Sequence, residues 1–221
     1  MPAQTDKGYK GIGMEGRIAT WYAKNTSKDI AEFRSLADRF ANETAGGSRI
    51  LDVASGPGYL SIELAKRGRY QVIGLDISKT FVELAAENAR QESVSVDFRV
   101  GNAAAMPFSE DAFDLIVCRA AFKNFSQPIA AMNEMHRVLK TGGRAIILDL
   151  RKDASTRDID AYIKSADRGW LNSFIIRVAF RCLLIPRAYS REQFREMASS
   201  SRFGGCAVLE SGIGFEIVLK K

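Results

Sequence analysis

Cysteine and histidine are the scarce side chains of this 221-residue sequence, which holds three of the first and one of the second. Cys118, Cys182 and Cys206 lie far apart, which excludes a CxxC metal or redox pair and offers no disulfide framework. The single imidazole, His136, falls inside a helical pattern and reads as a helix-surface residue rather than a general base. Long apolar runs are missing too. The most apolar stretch, Ile175 to Ile185, is broken by Arg177 and Arg181, whereas a membrane-spanning helix needs about 20 uninterrupted apolar residues. Met1 to Lys10 is polar and lacks the apolar segment of a secretory signal, which predicts a cytoplasmic location. The net charge of +6 is not gathered into any block of consecutive Lys or Arg, so the expectation is a solvated basic surface rather than a nucleic-acid partner.

What is present is an ordinary globular composition, 46% hydrophobic and 26% charged, at a length that suits one α/β domain with modest decoration. The Gly-rich start (Gly8, Gly11, Gly13, Gly16) reads as a loop that orders on binding, followed by helices over Arg17 to Ala23 and Ser27 to Asn42, the second with Ser27 as N-cap. Strands then alternate with helices. Strands are predicted at Ile50 to Val53, Gln71 to Leu75, Val94 to Val100, Phe113 to Cys118 and Arg144 to Leu150, and helices at Tyr59 to Arg67, Lys79 to Gln91 and Pro128 to Leu139, the last stopped by Gly142-Gly143. Strands apolar on both faces specify a doubly wound, mostly parallel sheet covered on two sides. A helical stripe through Ile159, Tyr162, Ile163, Ala166, Trp170 and Phe174 marks an inserted cap, and Ala207 to Glu210 and Phe215 to Leu219 close the chain as an antiparallel hairpin, making seven strands. The expectation is one domain, 1–221, divided into an N-terminal helical cap (1–47), a core (48–150), a cap insertion (151–189) and a closing helix and hairpin (190–221).

The chemistry concentrates where the first strand meets a turn, Ala54-Ser55-Gly56-Pro57-Gly58, that opens a helix. Glycine lets backbone approach a ligand closely, and a helix N-terminus favours negative charge. Asp76 closes the second strand on the same sheet edge, where a carboxylate can accept both hydroxyls of a ribose.

Ile50-Leu51-Asp52-Val53-Ala54-Ser55-Gly56-Pro57-Gly58 resembles motif I of the class I, Rossmann-like S-adenosylmethionine-dependent methyltransferases, and Leu75-Asp76-Ile77-Ser78 resembles their second motif. Gly101 to Phe108, Phe113 to Arg119 and Glu134 to Arg144 are similar to the family's adenine segment, fourth strand and the helix-turn before its fifth strand. The likeness runs from Arg49 to Leu150, nearest to the ubiquinone-biosynthesis-type and other small-molecule enzymes. It implies S-adenosyl-L-methionine as cofactor and S-adenosyl-L-homocysteine as product. By the same likeness, Asp52, Ala54, Gly56 and Gly58 line the methionine and ribose portion, Asp76 binds the ribose hydroxyls and Ile77 packs on adenine. Asn102 and Ala103 face the adenine edge, and the backbone around Cys118 and Arg119 lies near the methionine end. Two positions depart from the pattern: Ala54 stands for the usual first glycine, and Asn102 for an aspartate, keeping a carbonyl acceptor for the adenine amino group.

Three rivals share parts of this pattern. An NAD(P)-dependent oxidoreductase is opposed by Ser61 in place of a third glycine and by Pro57, which has no N–H for a pyrophosphate. A nucleic-acid methyltransferase is opposed by Arg119 to Phe125, which lacks the Asn-Pro-Pro-aromatic signature. A non-catalytic adenosylmethionine-binding module is the third, kept open by Ala54 and Asn102. A sulfonium methyl is already electrophilic, so orientation and exclusion of water come before any base. On the acceptor side the candidates are Tyr22, Asp149 and Lys123, with Arg151 and Asn124 beside them; Arg119, Lys123 and Arg151 either favour an anionic acceptor or pair with Asp149 and Asp153. Trp21, Tyr22, Trp170, Phe174, Phe180 and Leu183 suit core, a pocket for an aromatic or lipophilic acceptor, a homodimer interface or a membrane-surface contact.

Overall fold

In a computed structural model, residues 8–10, 13–165, 180 and 184–221 are described. The strands are β1 (Arg49–Val53), β2 (Gln71–Asp76), β3 (Asp97–Val100), β4 (Phe113–Arg119), β5 (Leu139–Leu150), β6 (Ala207–Ser211) and β7 (Gly214–Lys220). They form one sheet in the order β3-β2-β1-β4-β5-β7-β6. The first five run parallel, and β7 pairs antiparallel with both β5 and β6. Seven α-helices lie among the described residues: α1 (Gly16–Thr26), α2 (Ile30–Glu43), α3 (Tyr59–Ala65), α4 (Lys79–Gln91), α5 (Pro128–Val138), α6 (Thr156–Ser165) and α7 (Arg191–Ser199). The expected α/β architecture, with its seven-stranded sheet and closing hairpin, is what the chain forms.

Alternation along each central strand builds two cores. Ile50 of β1 and Leu115 and Val117 of β4 turn to the face covered by α2 and α3, with Phe33, Phe40, Leu60 and Leu64. Leu51, Val53, Ile116 and Cys118 turn to the other face, against Met132 and Met135 of α5 and Phe194 of α7. A side-chain period of two on a strand buried on both faces requires this division. Strand order reverses between β1 and β4, so a crevice opens at their carboxyl ends.

Four local expectations are corrected. Ser27 makes no side-chain cap; α1 runs through a 3-10 turn, Ser27–Asp29, directly into α2. β3 is shorter than predicted, beginning at Asp97. Gly142-Gly143 does not stop a helix. The chain is already in β5 from Leu139, and the pair accommodates a register shift against β4 between Phe113 and Leu115, with Gly142 at φ +81°. Trp21 does not join a pocket wall but is 67% exposed. In the cap, Ile159, Ile163 and Phe180 form a small core of their own with Leu150, Tyr162 and Ile213; the expectations at Ala166, Trp170, Phe174, Cys182 and Leu183 lie outside the described residues. No helix among the described residues is long and apolar enough to cross a membrane.

Candidate active site

At the carboxyl end of β1 the chain leaves the sheet through Ala54, whose φ of +58° lies in the left-handed region. That explains why glycine suits this position: a Cβ there crowds the following carbonyl. Gly56, φ +54°, has open space where a Cβ would stand, so ligand can approach its backbone. Gly58, unlike Gly56, is closely packed where a Cβ would stand. At φ +81° it is the N-cap of α3, and a Cβ on it would come within 2.7 Å of Phe98 and 2.9 Å of Ala85; its role is close packing of helix and strand.

Asp76 is buried at the end of β2. One of its oxygens accepts the Gly56 N–H at 2.8 Å and the other the Ser78 N–H at 2.9 Å. Burial pushes its carboxyl above the usual range, against these two hydrogen bonds. The carboxylate therefore fixes the loop and retains further lone pairs on the crevice edge.

Asp52, also buried, accepts a hydrogen bond from the Ser61 hydroxyl at 2.6 Å. Burial, and secondarily the neighbouring Asp76 charge, pushes its pKa up to about 7, against the hydrogen bond from Ser61 and the attraction of Arg119. Arg119 leaves β4 to pair with Glu32 at 2.7 Å, its guanidinium 4.5 Å from the Phe33 ring centre. Asp52, Ala54, Ser55, Gly56 and Arg119 line one cavity with Tyr22 and Thr26 of α1 and Phe33 of α2. Its volume of about 40 Å³ is close to that of one water. The Ser55 hydroxyl is buried in this wall and has no hydrogen-bond partner among the described residues.

A strap covers the crevice. Lys10 N–H donates to the Asn124 carbonyl at 2.6 Å, Tyr9 bridges Phe125, and Gly8 packs against Ile77 and Asn102. Further on, the Ser78 hydroxyl donates to the Met14 carbonyl at 2.6 Å, and Glu15 accepts the backbone N–H groups of Lys79 and Thr80 at the start of α4. The hydrogen bonds at Thr80 hold the Glu15 carboxyl below its ordinary range. Ile77 is partly exposed beside this strap, and Ala103 is half-buried against the core. The Asn102 side-chain oxygen accepts the Ala104 N–H at 2.9 Å in a local turn, with its second lone pair and its amino group left over among the described residues.

The acceptor-side candidates separate. Tyr22 reaches the cavity, edge-on to Phe81. Lys123 and Asp149 do not offer free groups. The Lys123 ammonium lies 2.8 Å from an Asp149 oxygen and 2.6 Å from the Ala120 carbonyl, while the Lys123 and Leu150 N–H groups bond the same carboxylate, and both side chains are buried. This network ties β4 to β5 and occupies both side chains. Arg151 is likewise engaged, with Asp158 at 2.6 Å and Asp153 at 3.6 Å. Cys118 is a buried thiol whose pKa is raised well above its ordinary value, chiefly by burial, and so is not a nucleophile. His136 packs edge-on against Phe203, and burial with nearby Lys221 and Arg202 lowers its pKa. Sequence reading missed Ser55, Thr26 and Phe33. The first was legible as the neighbour of Ala54 and Gly56, while the other two reach the cavity only through tertiary packing of α1 and α2.

Residues 45–182 match the family model described as "Methyltransferase domain". The demethylmenaquinone methyltransferase of Deinococcus radiodurans is 35% identical over 108 residues, 48% of this chain and 45% of that protein. The ubiquinone/menaquinone biosynthesis C-methyltransferase of Geotalea uraniireducens is 36% identical over 109 residues, 48% of this chain and 46% of that protein. The chain thus spans about half the length of the curated relatives it matches. Among solved structures, a protein from Methanococcus maripaludis superposes with a TM-score of 0.73 at 21% identity, over 96% of this chain and 95% of the other, a likeness of fold.

Proposed function

The chain belongs to the methyltransferase-domain family, and from that premise we propose that it moves a methyl group from S-adenosyl-L-methionine to a small-molecule acceptor of aromatic or lipophilic, quinone-like character, in the cytoplasm, releasing S-adenosyl-L-homocysteine. The observation that carries the reading is Gly56, held by the Asp76 carboxylate of β2, lining with Asp52 and Arg119 one crevice at the strand-order reversal.

The residues suit the cofactor. Asp76 retains acceptor capacity for the ribose hydroxyls, Gly56 leaves room for backbone contact, and the Ser55 hydroxyl is a buried donor in need of a partner. Asp52, once ionised, and Arg119, which here pairs with Glu32, line one cavity with opposite charges, an arrangement suited to an amino-acid zwitterion. Ile77 offers an apolar surface to the adenine ring, and Ala103 and the amide of Asn102 flank it. When bound, the cofactor supplies an electrophilic methyl group. The chain's own residues orient the partners and exclude water: the strap and α1 close over the crevice, and Tyr22 presents its ring and phenol to the acceptor. With Lys123 and Asp149 holding each other, the reading calls for no general base from that pair. The two relatives named for quinone methylation support the acceptor class.

Calorimetry with S-adenosyl-L-methionine, S-adenosyl-L-homocysteine and NAD(P)H, on the wild type and Asp76→Ala, tests this. Binding of the first two at micromolar levels, lost in the variant, is expected. Binding of NAD(P)H alone would replace the methyltransferase with an oxidoreductase. Binding of none would leave a degenerate module closed by Ala54 and Asn102.

A further inference from the structure

Helix α1 has two unlike faces. Ala19 and Ala23 are buried, and Tyr22 and Thr26 reach the crevice. On the opposite side Trp21 is 67% and Ile18 47% exposed, the former among the most exposed large apolar side chains of the described residues. Arg17 and Lys24 stand one turn before and after Trp21 on that same side, following the i, i+4, i+7 spacing of a helical stripe. Among the described residues neither makes an ion pair, although most of the chain's other cations near the crevice do. Helix α1 contains no acidic residue, and Glu15 just before it is turned to the N-terminus of α4.

We propose that this face docks on an anionic lipid bilayer. An indole and a branched aliphatic side chain enter the headgroup boundary, where tryptophan is favoured, and two unpaired cations meet the negative surface. A neutral protein partner would leave Arg17 and Lys24 without complementary charge, and an acidic one would leave Trp21 and Ile18 without an apolar counterpart. Because the reverse of the same helix lines the crevice, docking brings the cavity wall at Tyr22 and Thr26 to within one helix diameter, about 10 Å, of the lipid surface. One helix with two apolar anchors binds weakly and reversibly, as a short-residence surface contact requires.

The test is co-sedimentation of the full chain with vesicles of phosphatidylcholine alone and of phosphatidylcholine mixed with phosphatidylglycerol, with Trp21 emission read in a Trp170→Phe background. The expected result is sedimentation with the mixed vesicles and a blue shift of Trp21. The double variant Ile18→Ser/Trp21→Ser should lose about tenfold or more in binding, and Arg17→Glu/Lys24→Glu should lose the preference for anionic lipid. All four positions are exposed, so thermal melts of the variants should match the wild type and exclude misfolding as the cause. The proposal is overturned if the wild type ignores mixed vesicles or if both double variants sediment like it. It is equally overturned if Trp21 emission shifts with protein concentration but not with lipid, which would assign the face to a second copy. None of these readouts uses methyl transfer, so their failure and that of the cofactor calorimetry are separable.

Discussion

Ala54 holds a backbone conformation that costs an L-residue about 1–2 kcal/mol, set against about 0.5–1 kcal/mol of extra freedom that a glycine loses on folding. Ala54→Gly should therefore stabilise the chain by about 0.5–1 kcal/mol in urea titration without weakening cofactor binding. Gly58→Ala should go the other way, by about 2–3 kcal/mol, because it combines a left-handed φ with a Cβ driven against Phe98 and Ala85. Asp52 makes a prediction in pH. Its folded pKa of about 7 lies above the 3.8 of an unperturbed aspartate, so the folded chain holds the proton through that window and stability falls as pH rises across it. Capture of an ammonium group needs the charged form, so cofactor affinity should fall about tenfold per unit below about pH 7, and Asp52→Asn should flatten the profile. Calorimetry across that range reads both.

At the scale of elements, the Lys123–Asp149 network makes the joint between β4 and β5 sensitive to single changes. Lys123→Ala strands a buried carboxylate and should cost about 3–5 kcal/mol in a denaturant titration. Below its lowered midpoint the variant should keep its cofactor affinity; a folded variant with reduced affinity would return Lys123 to the reacting centre. This joint illustrates what sequence could disclose. The strand-helix alternation, the helix over Lys79–Gln91 and the closing hairpin were legible because periodicity and caps are local signals. The places of Asp52, Gly56 and Asp76 at the strand ends and first turn were legible because a motif is also local. For Lys123 the sequence offered pairing with Asp149 as one of two alternatives, and only the packing of the two segments decides for it; the arrival of Thr26 and Phe33 at the cavity was not legible, since it depends on which elements meet. Gly142-Gly143 misled for a related reason: a glycine pair signals a break, and only the ladder reveals that the break lies inside a strand.

For the whole molecule, segments 8–10 and 13–15 are hydrogen-bonded to the segment after β4 and to the start of α4 beside the crevice, and a ligand held by the folded chain there stabilises it. Ligand at about 100 times its Kd should add about 2.7 kcal/mol of stability, a rise of about 5–10 °C in Tm for a chain of this size by scanning calorimetry. Asp76→Ala should abolish the rise. The position of β7 between β5 and β6 has a consequence for biosynthesis. During translation each of β2 to β5 emerges after a parallel neighbour, but β5 keeps a bare edge through Ile146 and Ile147 until Gly214 and the residues after it leave the ribosome. A paused or truncated nascent chain therefore displays an unpaired apolar strand ready to pair with another chain.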